Sequence, residues 1–398
     1  MTKPYRSLYT YAWDVLDIGV NAFVEQALSL GISDVSLATS YHAGKFIRPH
    51  AKHAPKVIFP EDGVVYFDPQ LTRYGAIKPQ AHSDAALRQV LPDLIADGRL
   101  RVHGWTVLLH NSRLGSQYPQ YCTHNVFGDA YVYSVCPMQT AVAEYAVALC
   151  ADLTAQHPLA SIILETPGWL PFAHGYHHEF AQLAMSPAMD KALGLCFCRA
   201  CQAQAQSLGI EVDALQRRLQ HLITDLFNSA PNNEQTQQAI ELAFEQDRDL
   251  IAYVKMRQQC VTDLVKSIRA AIPTSTKLAV IPSVQRPSSL CWTEGSDLTA
   301  LLSEGAADYL EIPFYEANAE LVRNDAAFCL AHATSVNQLR GILRPGFPDL
   351  NNGAELADAL IGLQQAGLTD FAFYNYGLLP RQQLTHMANC LNLLKAPT

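Results

Sequence analysis

Short apolar runs rich in β-branched and aromatic residues alternate with longer stretches of helical periodicity along the whole chain. This is the pattern of parallel strands joined by crossover helices. Eight strands are predicted, at Ser7–Trp13, Asp34–Thr39, Arg101–Leu109, Ser161–Glu165, Lys277–Ile281, Tyr309–Pro313, Gln338–Leu343 and Asp370–Tyr374. Helical patterns such as Asn21–Leu30, Ala85–Asp97 and Ala354–Ala366 lie between them, and Gln382–Leu394 follows the last. Eight βα repeats predict an α/β fold closed into a (β/α)8 TIM barrel. The rival is an open doubly wound sheet. Against it, Trp13-Asp14-Val15-Leu16-Asp17 stands where a glycine-rich dinucleotide fingerprint would follow the first strand. No organic cofactor is expected on that ground.

The repeat is irregular after the fourth strand, where a cysteine cluster and two helical stretches, Val212–Asn228 and Glu234–Ala271, intervene. We read residues 1–398 as one barrel domain, with residues 174–233 as an approximate cysteine-rich, helical insertion within it. The composition, 49% hydrophobic, suits a large core. A formal net charge of -9 without a basic run argues against a nucleic-acid or anionic-membrane partner and favours a neutral small substrate. No stretch is long and apolar enough for a membrane span. The start of the chain carries no apolar export segment, which predicts a cytoplasmic location and reduced thiols among the ten cysteines. Assembly into a homo-oligomer stays open.

Catalytic groups of such barrels sit at the C-terminal ends of the strands. Here those positions are polar and aromatic: Asp14, Tyr41-His42, His110-Asn111, Glu165, Gln285-Arg286, Glu311 with Tyr315, Arg344 with Asp349, and Tyr374-Asn375-Tyr376. Glu165 ends the apolar run Ser161-Ile162-Ile163-Leu164, and Thr166-Pro167-Gly168-Trp169 then breaks the strand. A carboxyl group in such surroundings has a raised pKa, as a general acid needs; the alternative is a structural pair with an arginine. Cleaving a glycosidic bond requires two carboxyl groups, roughly 5 Å apart for retention and wider for inversion. Glu311 is the first candidate for the second; the alternative is an ion pair with Arg340 or Arg344, and Asp14 and Asp349 remain in contention. Trp13, Trp169, Trp292, Tyr315, Tyr374 and Tyr376 offer faces for a sugar, and the histidines and amides offer hydrogen bonds. The expected substrate-binding set is Asp14, His42, His110, Asn111, Trp169, His174, Tyr315, Arg344, Tyr374 and Tyr376.

Cys196-Phe197-Cys198-Arg199-Ala200-Cys201 places three thiols close enough to share one structural zinc ion, given a fourth ligand from elsewhere. The alternative is reduced cysteines around a tight turn. His174-Gly175-Tyr176-His177-His178-Glu179 invites a second metal reading, but adjacent histidines tend to point apart. Substrate-hydroxyl or loop-ordering roles are preferred for His174 and His177.

In order, Val135-Cys136-Pro137, the helical stretch Ala141–Leu153, His157-Pro158-Leu159, the strand ending in Glu165 and the C-x-C-x-x-C run resemble the glycoside hydrolase family 42 β-galactosidases. The resemblance spans about residues 136–201. It implies a TIM barrel, a general acid/base at Glu165, and a zinc ion held by Cys136 with Cys196, Cys198 and Cys201. Two departures stand out. The family has Asn-Glu where this chain has Leu164-Glu165, and its nucleophile ends the seventh strand, where Gly341-Ile342-Leu343-Arg344-Pro345-Gly346 carries no glutamate. The expectation is a glycosidase acting on a small oligosaccharide or glycoside. The rivals are a barrel isomerase, lyase or metal-dependent hydrolase built on His42, His110 and His174, and a carbohydrate-binding pseudoenzyme.

Overall fold

A computed structural model describes residues 4–53, 55–174, 176, 182–183, 185–228, 234–288 and 295–394. The strands of the ring are β1 (Arg6–Thr10), β2 (Asp34–Tyr41), β3 (Arg101–Val107), β4 (Ser161–Glu165), β5 (Lys277–Ile281), β6 (Tyr309–Phe314), β7 (Leu339–Leu343) and β8 (Phe371–Phe373). Each pairs in parallel with the next, and β8 pairs back onto β1. The ring is therefore closed, and the fold is a (β/α)8 barrel. Two short strands, Val64–Val65 and Gln80–Ala81, extend the sheet beside the C-terminal end of β2.

Local sequence explains the element boundaries. Asp84 caps Ala85–Asp97 by accepting from the Ala86 amide, and Gly98, at φ 71, ends that helix in the left-handed conformation glycine permits. The first predicted strand runs too far: β1 stops at Thr10, and Trp13 and Asp14 lie in the helix Ala12–Ile18. The alternation there was decided by tertiary contacts, since Trp13 stacks on Tyr11 at 4.3 Å and Asp14 pairs with Arg48 at 2.7 Å. The stretch Glu234–Ala271 is two helices, Glu234–Gln246 and Arg248–Ala271. Asp247 divides them, because its carboxylate accepts from the amides of Asp249 and Leu250 and starts a new helix. Arg248–Ala271 packs on Thr140–Gln156, the helix preceding β4, and so takes the crossover position of the fourth unit. Pro187–Leu193, Arg199–Ser207, Val212–Asn228 and Glu234–Gln246 come before it. Among the described residues no helix is long and apolar enough to cross a membrane.

The barrel interior is polar as well as aromatic. The imidazole of His103 lies between Asp34 at 2.8 Å and Ser161 at 2.6 Å. Glu311 is fully buried and accepts from Tyr5 at 3.0 Å, Tyr9 at 2.7 Å and Arg340 at 2.9 Å. The Arg340 guanidinium lies 4.0 Å from the Tyr5 ring centroid and 3.8 Å from that of Tyr309. The arginine pairing of Glu311, open in the sequence, is thus the arrangement the fold adopts.

Removing one member of a buried ion pair leaves an uncompensated charge, at a cost of about 3–5 kcal/mol. Arg340→Met should lower stability on that scale in urea unfolding, and the double substitution Arg340→Met with Glu311→Leu should recover most of it. Additive losses in the double variant would show that the pair is not the source.

Candidate active site at the barrel mouth

Glu165 is the last residue of β4, and it alone in that strand is not fully buried. The Trp105 indole donates from Nε1 to Glu165 Oε2 at 2.5 Å. Trp105 is wedged edge-on against Tyr9 and Tyr41, both at 5.1 Å, and Tyr374 at 5.8 Å. Burial pushes the Glu165 carboxyl up to about 7, against the opposing pull of the indole hydrogen bond. Main-chain bonds hold the strand end: the amides of Leu108 and Leu109 donate to the carbonyls of Glu165 and Thr166. Thr166 has φ 51, a left-handed conformation that costs a threonine on the order of 1 kcal/mol or more.

Around this carboxyl stands a ring of phenols. Tyr11 is within 3.0 Å of the hydroxyls of both Tyr41 and Tyr374. Tyr315 packs 5.8 Å from Tyr374, and Arg344 lies over the Tyr315 ring at 4.6 Å while pairing with Asp349. Burial raises the pKa values of Tyr41, Tyr315 and Tyr374, and the Glu165 charge adds to each. On one side His42 stacks on Tyr41 at 4.3 Å and on His110 at 3.9 Å, with His174 6.0 Å beyond His110. The predicted residues Glu165, His42, His110, His174, Tyr315, Arg344 and Tyr374 therefore converge at the mouth.

Others do not join them. Glu311 is held below, with the rings of Tyr9 and Trp105 between it and Glu165. Trp169 is fully buried, donates to the Cys136 sulfur at 3.3 Å and lies 4.4 Å from the Arg257 guanidinium, so it offers no face to a ligand. Tyr376 is buried against Phe23 and donates to Gln26 at 2.8 Å, because the chain after β8 turns it into the outer wall. The Asn111 amide caps a helix through Leu114 and bonds the Gly63 carbonyl. Asp14 is engaged by Arg48 at 2.7 Å; burial nevertheless raises its carboxyl to about 6. His177 and Trp292 lie outside the described residues. Sequence reasoning missed Trp105 and Tyr11 as site residues, and named Tyr41 at a strand end without including it in the substrate-binding set. Alternation along β3 from the inward His103 carried the signal for Trp105.

The Cys136, Cys196, Cys198 and Cys201 sulfurs all lie within 4.8 Å of one another and are buried. Two of their separations are 3.5 and 3.7 Å. A tetrahedron of sulfurs around a metal at about 2.3 Å has edges of about 3.8 Å, so the group could hold one ion. Burial raises the Cys136 thiol and its sulfur neighbours raise Cys201, so four thiolates here need a cation. N–H groups already face the sulfurs, from His124 to Cys196, Gln139 to Cys198 and Trp169 to Cys136. Among the described residues this is the one group of three or more ligands close enough for a metal.

No family model matches the sequence, and neither does any curated protein. Family 42 membership is therefore not shown. Solved structures do match in fold. The PgaB (BpsB) glycoside hydrolase domain from Bordetella bronchiseptica aligns over 98% of this chain and 98% of its own, at 12% identity and a TM-score of 0.60. The β-amylase catalytic domain from Paenibacillus polymyxa aligns over 97% of both chains, at 10% identity and 0.58. A β-galactosidase from Bacillus circulans sp. alkalophilus aligns over 98% of this chain and 55% of its own, at 11% identity and 0.57. These neighbours are TIM-barrel glycoside hydrolases; at such identities the likeness is one of fold.

Because the indole hydrogen bond favours the ionised carboxylate, Trp105→Phe should move the Glu165 pKa further up from about 7. Carbon-detected NMR titration of the glutamate carboxyls would register it. An unchanged or lowered value would mean that the bond does not tune the acid.

Proposed function

We propose that this chain hydrolyses an O-glycosidic bond in a small, neutral carbohydrate, with Glu165 as general acid/base. The observation that carries the reading is a single carboxyl, raised to about 7 and oriented by one donor, at the end of β4 inside a ring of aromatic groups. A carboxyl neutral near pH 7 can protonate a departing glycosidic oxygen, and Tyr315 and Tyr374, which are only half-buried, offer faces to a sugar ring. The folds of the glycoside hydrolase neighbours support the same class of reaction. Asp349, beyond β7 and paired with Arg344, takes over from Glu311 as the proposed second carboxyl group, since Tyr315 feels the fields of both Asp349 and Glu165. His42, His110 and His174 would bond sugar hydroxyls. A zinc ion at the four cysteines would be structural: it would fix the end of the hairpin formed by Cys122–His124 and Ala130–Val135 to the start of the helix Arg199–Ser207, and through Trp169 the loop after Glu165.

Glu165→Gln should reduce turnover of glycosides with poor leaving groups by at least about 100-fold and spare activated aryl glycosides in the bond-breaking step. The acid must be protonated, so wild-type activity should fall as pH rises through about 7, and that limb should vanish in the variant. Stability provides an independent check. A carboxyl raised from 4.5 to about 7 holds its proton longer when folded, so it loses stability between those pH values. Glu165→Gln should accordingly gain melting temperature relative to wild type over that window. Near-normal turnover in Glu165→Gln, with activity abolished by Asp349→Asn, would make Glu165 structural.

Protein purified without chelator should carry one zinc per chain, and Cys198→Ser should lose both the metal and thermal stability. Absence of stoichiometric metal by elemental analysis would end that assignment.

A further inference from the structure

Beside the phenol ring, the loops after β7 and β8 enclose a cavity of 560 Å³ whose lining includes Arg344, Phe347, Asn351, Tyr374, Asn375 and Gln383. Tyr374 belongs both to this cavity and to the network around Glu165, so the two spaces adjoin. A larger cavity, of 880 Å³, lies on the outer face between Thr140–Gln156 and Arg248–Ala271, away from the strand ends.

Phe347 is 88% exposed. Its loop is nonetheless ordered, by the Arg344 and Asp349 pair and by main-chain bonds from Gly346 to Arg344 and from Asp349 to Gly346. Asn375 is 1% exposed; its Oδ1 accepts from the Gly377 amide, whereas its Nδ2 has no hydrogen-bond partner. The Gln383 side chain is held at both ends: its nitrogen donates to the Asn351 carbonyl and its oxygen pairs with His386 Nδ1 at 3.2 Å. Among the described lining residues the charged side chain is Arg344, and Asp349 compensates it. An exposed aromatic face on an ordered loop, beside a cavity without uncompensated charge, describes a seat for an uncharged ring with an apolar face.

We propose that this cavity is a second sugar subsite, which holds a neutral pyranose unit one step away from the bond cleaved at Glu165. Phe347 stacks on its apolar face. The substrate class is therefore a neutral oligosaccharide and not a simple monoglycoside. This rests on the glycosidase reading above.

The test is calorimetric titration of cello-, chito-, malto- and galacto-oligosaccharide ladders, from monosaccharide to pentasaccharide, into Glu165→Gln, with and without Phe347→Ala. Phe347 is exposed, so its truncation removes little packing. In at least one ladder affinity should rise with length, and Phe347→Ala should weaken the longer members about tenfold more than the monosaccharide, the scale of a lost aromatic face. Equal loss at every length, or none, overturns the subsite and leaves the glycosidase reading untouched. Lack of binding by every ladder also overturns it, while turnover of a glycoside panel by wild type and Glu165→Gln judges the underlying activity separately.

Discussion

Closing eight strands into a ring leaves an interior that only side chains can fill, and every polar group placed there must find a partner inside the ring. This chain answers that constraint with a column in which few atoms, Thr10 Oγ1 and Arg340 Nε among them, go without a partner. His103 bonds both Asp34 and Ser161 and packs on Tyr5; Glu311 gathers Tyr5, Tyr9 and Arg340; Tyr9 packs on Trp105; and Trp105 bonds Glu165. The acid at the mouth is thus the end of a chain of contacts that starts deep in the barrel. Because cooperative polar networks hold geometry only when all members are satisfied, changes far down the column should reach Glu165 through side-chain position, not through charge alone.

The fold was legible because it depends on patterns a sequence displays. β4 and β5 run over the predicted residues because each is a short apolar run ended by a loop, and Ala85–Asp97 is framed by a capping aspartate and a glycine. β1 was overextended because Tyr11-Ala12-Trp13-Asp14 alternates like a strand, while its contacts with Arg48 and the aromatic cluster lie too far away in sequence to be read. The site divides similarly. Glu165 announced itself by position, and the four cysteines by spacing and resemblance. Glu311 showed the same isolated carboxylate in an apolar strand, but the height of a residue inside a barrel follows from the stagger of strands, which a linear pattern does not contain. Trp169 and Tyr376 were equally plausible as rim aromatics until the chain turned them inward.

The four-cysteine group lies outside the ring yet touches the site through one residue. Trp169 follows Glu165 by four positions, and its indole reaches the Cys136 sulfur. The intervening loop is held at one end by the Leu108 and Leu109 amides, just after β3, and at the other by this indole, and Thr166 within it is left-handed. Such a conformation persists only when its surroundings over-determine it. The four-cysteine group is in this sense part of the scaffold of the acid.

The single hydrogen bond that Trp105 gives Glu165 also distinguishes between two chemically identical oxygens. An indole nitrogen donates and never accepts, so Oε2, the oxygen facing it, must present a lone pair in either protonation state. In the neutral acid the hydrogen is therefore favoured on Oε1, since a carbonyl oxygen accepts more strongly than a hydroxyl oxygen. The tryptophan acts as a regiochemical selector: it breaks the symmetry of the carboxyl group before any ligand arrives.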